Sequence, residues 1–132
     1  MSSMESRTAT CKSRDILARP WLAFAVFWFP AILIFVAANS RFSGAWRTVV
    51  WTVALVIMGT ACLANARRCG RVHCYLTGPF FLVMAIVTLL YGLGVVPPAR
   101  NGWNWIGLII LAGAMLFCCL PEMIIGKYRP RS

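Results

Sequence analysis

Acidic residues are nearly absent from this sequence. Its 132 residues include 3 Asp and Glu, against 13 Lys and Arg and a single histidine. So few carboxylates leave no pair for general acid and base catalysis. The sequence also has no CxxC motif, no Ser-His-Asp arrangement and no glycine-rich phosphate loop. These absences together speak against an enzyme, including a membrane thiol oxidoreductase.

Charged residues of either sign are also scarce, and this scarcity decides the fold class. They make up 12% of the chain, whereas hydrophobic residues make up 61%. A soluble domain is about half apolar and about one quarter charged. Here the apolar residues form runs that approach the roughly 20 residues needed to cross a bilayer as a helix. We therefore predict an all-α membrane protein, a four-helix transmembrane bundle with spans at 21–38, 48–66, 76 or 79 to 96, and 103–125.

Basic residues lie almost entirely outside these runs, and their distribution gives the predicted bundle an orientation. The two termini and the segment between the second and third spans carry ten of them, and the two opposite connections carry three. An excess of Lys and Arg marks the cytoplasmic side. We therefore expect a cytoplasmic tail at 1–20, a transmembrane domain at 21–126 and a basic cytoplasmic tail at 127–132. Such charges favour contact with lipid headgroups, and we expect no nucleic-acid partner.

The segment between the second and third spans gives the strongest functional signal. Residues 66–79 read ARRCGRVHCYLTGP and contain Cys69, His73 and Cys74. Thiols and imidazoles are ligands that soft metal ions prefer, so this segment predicts a site for Hg(II), Cu(I) or Zn(II). The alternative is an arginine-rich loop that binds anionic lipid headgroups and contains the cysteines and histidine incidentally.

A pair of adjacent cysteines, Cys118 and Cys119, lies late in the fourth predicted span. Adjacent helical residues point about 100° apart, so both thiols face one axis only where the helix bends. Pro121 gives a reason for such a bend, since it removes a backbone hydrogen bond. The pair is suited to a two-coordinate ion such as Hg(II) or Cu(I). A zinc site at Cys69, His73 and Cys74 would need a fourth ligand, which Cys62 or Cys119 would supply. The alternative is that these cysteines serve as small apolar residues.

Glu122 is the one acidic residue near a predicted span. A carboxylate at membrane depth is costly and is a functional candidate for that reason. Glu122 is expected to pair with Lys127 or with an arginine of the 66–79 segment such as Arg71, holding the fourth span against that segment. The alternative role is gating coupled to proton movement or to a metal ion.

All 6 cysteines fall on the predicted cytoplasmic side or at the depth of the inner leaflet. The cytoplasm is reducing, so they are expected to remain thiols. This one-sided distribution predicts a small polytopic membrane protein that handles or transports a soft metal ion, Hg(II) or Cu(I), through thiols facing the cytoplasm.

The run Cys118-Cys119-Leu120-Pro121 resembles the vicinal-cysteine signature of the bacterial mercuric-ion transporters. Those are small inner-membrane proteins in which thiol pairs carry Hg(II) inward, and the pair lies in their first helix. The blocks RCGRVHCYLTGP and NGWNWIG also resemble those of small bacterial membrane proteins of undefined function. The resemblance implies a multi-pass protein of the bacterial inner membrane.

The rival hypothesis is an accessory or assembly subunit of a larger membrane complex, with no metal role. Small residues in the fourth span allow close helix contact with such a partner or with a second copy of the chain. These residues are Gly107, Ala112, Gly113 and Ala114. Trp103 and Trp105 at the start of the same span are expected to be anchors at the membrane interface.

Overall fold

The protein is built from long helices. A computed structural model describes residues 19–39, 41, 44–70 and 72–124, and within these ranges it has four long helices and no strand. The helices are α1 (Pro20–Asn39), α2 (Gly44–Cys69), α3 (Val72–Gly92) and α4 (Gly102–Ile124). Each is long and apolar enough to cross a membrane, which confirms the predicted all-helical, four-span fold and makes this a multi-pass membrane protein.

Several predicted features lie outside the described residues. They include nearly all of the tail at 1–20, the tail at 127–132, Lys127 and Arg71. The backbones of Cys69 and Glu122 belong to helices, but their side chains are also outside the description.

α2 and α3 pack side by side and form the most extensive helix pair. Buried residues recur every three or four positions along both helices, which is the spacing of one helical face. On α2 they are Trp51, Ala54, Leu55, Met58, Cys62, Asn65 and Ala66, and on α3 they are His73, Cys74, Thr77, Phe81, Met84, Ala85 and Thr88. The two faces meet along the whole pair and form the core of the protein.

The connection between α2 and α3 is much shorter than the sequence predicts. Residues 66–79 were predicted to connect the second and third spans as a hydrophilic segment. α2 continues to Cys69 and α3 begins at Val72, so most of the segment is helical. Pro79 therefore lies inside α3 and not in its first turn. Apolar packing between the two helices outweighs the loss of one backbone hydrogen bond at the proline.

α1 and α4 lie at the edges of this pair. Only 11% of the residues in the most apolar window of each are buried, against 44% for α2 and 39% for α3. α1 contains a π-helical turn at Phe24–Trp28, in which the Phe29 amide donates to the Phe24 carbonyl. This wider turn comes directly before Pro30, which has no amide hydrogen to donate. The helix therefore accommodates Pro30 with a π-helical turn.

The small residues of α4 are used within the protein. Gly107 leaves room for the ring of Trp51, and Gly113 leaves room for the ring of Phe80. Trp103 is partly buried and packs edge-on against Trp51 at a centroid distance of 5.4 Å. Trp105 is 61% exposed, as an anchor would be. The small face of α4 therefore contacts α2 and α3.

Candidate functional site

Four side chains from α2 and α3 meet in a buried polar cluster near the connection between these helices. We call Cys62, Asn65, His73 and Cys74 the thiol cluster. The Sγ atom of Cys74 lies 3.4 Å from Nε2 of His73, and the side-chain amide of Asn65 donates to the same sulfur at 3.8 Å. The thiols of Cys62 and Cys74 are within hydrogen-bonding reach of each other. Exposure ranges from 0% for Asn65 and Cys74 to 5% for His73.

Helix periodicity and a tight turn bring these residues together. Cys62, Asn65 and Ala66 are spaced three and four apart, so they share one face of α2. Gly70 then reverses the chain with φ at 65°, and its amide donates to the Ala66 carbonyl at 2.8 Å. This is the usual left-handed end of a helix, for which glycine is favoured. The first turn of α3 consequently lies beside the last turns of α2.

Packing on both sides seals the thiol cluster. Ala66 packs against Cys62 and Cys74, and its small side chain leaves room for both sulfurs. Phe27, from the π-helical turn of α1, also packs against this group. Within the described ranges, the hydroxyl of Thr77, one turn further along α3, is buried and has no hydrogen-bond partner. The cluster is therefore a polar, thiol-rich region inside an otherwise apolar helix interface.

The structure brings together only some of the residues predicted to bind a metal. Cys62, His73 and Cys74 converge, but Cys118 and Cys119 are exposed on α4. This pair, predicted to be among the ligands, does not join the buried thiols, because α4 packs its glycines and Phe117 inward and leaves Cys118 and Cys119 exposed. Cys69, Glu122 and Arg71 cannot be placed, since their side chains lie outside the description.

In the part of the chain that the structure describes, no three His, Cys, Asp or Glu side chains are arranged to hold one metal ion. The thiol cluster offers two sulfurs in contact and an imidazole close to one of them. It consequently suits an ion that accepts two thiolates better than a tetrahedral ion that needs four ligands.

Arg67 and Arg68 lie in the last turn of α2 and are exposed. Positive charge at the carboxyl end of a helix is stabilised by the helix dipole. These side chains give the end of the bundle near the thiol cluster a basic surface.

Asn65 is the member of the cluster that was not predicted to belong to a site. An amide is costly inside a span, and its spacing of three from Cys62 places both on one face. That combination was visible in the sequence. What the sequence did not show is that α2 extends past Asn65, which turns a residue near a predicted helix end into a buried one.

Comparison of the chain with protein-family models, with curated proteins and with solved structures finds no match. The function is therefore argued from the geometry of the described residues.

Proposed function

We propose that this protein binds and handles a soft metal ion, Hg(II) or Cu(I), between α2 and α3, with Cys62 and Cys74 as the two ligands. The observation that carries the proposal is that two buried thiols from neighbouring membrane helices, those of Cys62 and Cys74, pack in one cluster. Cysteine sulfur is the side-chain ligand that soft ions favour. His73 and Asn65 lie against the Cys74 sulfur and orient it.

The charge balance of the site favours these ions. A buried charge is costly unless it is compensated. Hg(II) held by two thiolates forms a neutral complex, which suits a membrane interior. Cu(I) held in the same way carries one negative charge, which the amide of Asn65 and the ring of His73 can stabilise as donors. Binding requires that both thiols lose their protons, so uptake of the ion releases protons.

The proposal includes a location. The preponderance of basic residues near the termini and the α2–α3 connection supports a bacterial inner-membrane protein with this end in the cytoplasm. Arg67 and Arg68 then face anionic headgroups of the inner leaflet. The ion is exchanged at the cytoplasmic end of the bundle, where glutathione and other thiols are available to accept it.

The proposal differs from the sequence-based hypothesis in its ligands. Cys118 and Cys119 have no part in it, because they are exposed on α4 while Cys62 and Cys74 are buried. The rival hypothesis of an accessory subunit is weakened for a similar reason. The glycines of α4 were predicted to contact a partner, but the space beside them is occupied by Trp51 and Phe80 of the same chain.

A metal titration of the purified protein in detergent tests the proposal. Cu(I) is titrated in competition with a chromophoric Cu(I) chelator, and Hg(II) is followed by the ultraviolet absorbance of the mercury–thiolate bond. The wild type is expected to bind one ion tightly. The double variant Cys62→Ser/Cys74→Ser is expected to lose this site. His73→Gln is expected to weaken it by about 10–100-fold, the usual effect of removing a group that orients a ligand.

The matched control is Cys118→Ser/Cys119→Ser, which removes as many thiols from an exposed position. It is expected to bind as the wild type does. If this control loses the tight site and Cys62→Ser/Cys74→Ser keeps it, the ligands are the α4 pair and the proposed site is wrong. If neither pair matters, the protein does not use thiols of the spans to bind metal.

A further inference from the structure

Thr77 on α3 has a buried hydroxyl for which the described residues offer no hydrogen-bond partner. The residue is 4% exposed, so it is shielded from solvent. A threonine inside a helix can avoid this situation by donating to the backbone carbonyl four residues earlier. Thr48, Thr60 and Thr88 all do so. A buried polar group that stays unpaired is costly and therefore calls for an explanation.

Two features of the helix pair place Thr77 beside the thiol cluster. On α3 it follows Cys74 by three residues, so both lie on one face, and the Cα–Cβ bonds of a helix tilt toward its earlier residues. Across the pair, the backbone of its neighbour Gly78 packs against the side chain of Leu63, which follows Cys62 on α2. Thr77 therefore lies one turn from Cys74 and at the level of Cys62.

The sulfur of Cys74 is already surrounded by polar groups. The Asn65 amide donates to it at 3.8 Å, and Nε2 of His73 lies 3.4 Å away. A neutral thiol is a weak acceptor, whereas hydrogen bonds to a charged acceptor such as a thiolate are roughly twice as strong as neutral ones. A threonine hydroxyl has more than one accessible rotamer in a helix, and its hydrogen turns to suit an acceptor. Thr77 consequently provides a donor for negative charge that develops at the cluster.

The charge on the cluster depends on which ion it binds. Two thiols lose two protons when they take up a metal ion, and two metal–sulfur bonds form. A divalent ion such as Hg(II) then gives a neutral complex, whereas a monovalent ion such as Cu(I) or Ag(I) leaves one negative charge on the two sulfurs. An uncompensated charge inside a membrane is costly. A nearby hydroxyl donor therefore stabilises the complex of a monovalent ion more than it stabilises the complex of Hg(II).

From these observations we propose that Thr77 determines the specificity of the thiol cluster and that the ion handled there is monovalent, Cu(I) rather than Hg(II). In the Cu(I) complex the Thr77 hydroxyl donates to the thiolate of Cys74. In the metal-free protein the same hydroxyl is kept in place without a partner. Thr77 acts through the sulfur and does not touch the ion. This inference rests on the proposed function, since it needs an ion at Cys62 and Cys74.

Competition titrations of the purified full-length protein test this role of Thr77. Cu(I) and Ag(I) are titrated against a chelator of known affinity, and Hg(II) is titrated against a small dithiol. Thr77→Val keeps the shape of the side chain and removes the hydroxyl. It is expected to weaken Cu(I) and Ag(I) binding by about ten-fold or more, the effect of one hydrogen bond to a charged group, and Hg(II) binding by only about two-fold. Thr77→Ser keeps the hydroxyl and is expected to bind all three ions as the wild type does.

The matched control is Thr88→Val. Thr88 is also buried on α3, but its hydroxyl already donates to the Met84 carbonyl at 2.7 Å, about three turns away from Thr77. Thr88→Val is expected to leave the affinities for all three ions unchanged. The metal-free proteins separate the two variants again, because removing an unpaired buried hydroxyl stabilises a protein and removing a bonded one does not. Thr77→Val is expected to raise the Tm, whereas Thr88→Val is not.

The outcomes distinguish the role of Thr77 from the function on which it rests. A wild type that binds no ion through Cys62 and Cys74 would overturn both. If the wild type binds Cu(I) and Hg(II) and Thr77→Val weakens both equally or neither, only the role of Thr77 is wrong. The same holds if Thr77→Ser weakens Cu(I) binding as much as Thr77→Val does. An unchanged Tm of metal-free Thr77→Val would also contradict the role, since the hydroxyl would then have a partner without the ion.

Discussion

Two glycines set the distance between α2 and α3. A Cβ atom on Gly78 would lie 2.8 Å from Cγ of Leu63 and 3.2 Å from the Gly59 carbonyl oxygen. A Cβ atom on Gly59 would lie 3.0 Å from the Gly78 carbonyl oxygen. The backbones therefore approach each other at this pair, as small residues allow in membrane helices. Cys62 and Cys74 lie within one turn of the crossing, so their contact depends on it.

The first prediction concerns Gly78→Val. The added side chain is expected to push the helices apart and to lower the free energy of unfolding by about 1–3 kcal/mol, the usual cost of overpacking. It is also expected to separate the thiols of Cys62 and Cys74. Thermal unfolding in detergent measures the first effect. Disulfide formation with copper-phenanthroline, in a background where these are the only cysteines, measures the second.

The matched control for this prediction is Gly44→Val. Nothing lies within 4 Å of a Cβ atom on Gly44, so the same substitution adds volume without a clash. Unchanged disulfide formation in Gly78→Val would mean that the glycine crossing does not hold the thiols together.

Residue identity alone predicts part of the site. Cys69, His73 and Cys74 were expected to act together, with Cys62 as a further ligand, because thiols and imidazole attract soft ions. Of these, the structure brings Cys62, His73 and Cys74 together. Cys118 and Cys119 carry the same chemistry but are exposed. The difference arises from which face of each helix packs inward. In α4 the inward face is the one on which Gly107 and Gly113 pack against aromatic rings of other helices. Such contacts between helices cannot be predicted from the sequence of one helix alone.

At the scale of elements, the turn at Gly70 decides where the thiol cluster forms. Its positive φ of 65° is costly for any residue with a Cβ atom. Gly94, which follows α3 at the other end of the bundle, has a similar φ of 74°. Gly70 and Gly94 therefore have similar backbone conformations, one beside the thiol cluster and one away from it. The same substitution at both positions separates the cost of the backbone conformation from an effect on the cluster.

The second prediction compares Gly70→Ala with Gly94→Ala. Both are expected to lower the free energy of unfolding by about 1–2 kcal/mol, the cost of a left-handed conformation with a Cβ atom. Only Gly70→Ala is expected to slow the disulfide formation between Cys62 and Cys74, since only this turn sets the register of α2 and α3. Equal rates in both variants would show that the helix pair holds its register without the turn.

The sequence predicts the presence of all four long helices, but it does not predict where each of them begins and ends. Runs of apolar residues identified all four spans, and Asn39, Gly102 and Ile124 lie within one residue of the predicted ends. The connection between α2 and α3 was missed because its arginines suggested a loop. Exposed arginines are compatible with the last turn of a helix, where the dipole favours them. The third span ends at Gly92, before its predicted end at 96.

At the scale of the whole molecule, the protein has an inner pair of helices and two peripheral ones. α2 and α3 carry most of the buried residues, and α1 and α4 expose large apolar side chains such as Phe35, Leu111 and Met123. In a bilayer these side chains lie against lipid tails, and no further partner is needed to cover them. The thiol cluster lies at one end of the inner pair, near the α2–α3 connection.

The third prediction concerns the orientation in the membrane. Ten of the 13 basic residues lie at the termini or around the α2–α3 connection, and this bias predicts that this end lies in the cytoplasm. Alkaline phosphatase, which is active only outside the bacterial cytoplasm, is expected to be active when inserted after Asn101. It is expected to be inactive at the carboxyl terminus, where a green fluorescent protein fusion is expected to fluoresce. The reverse pattern would place the thiol cluster at the outer surface, where Cys62 and Cys74 would meet an oxidising environment.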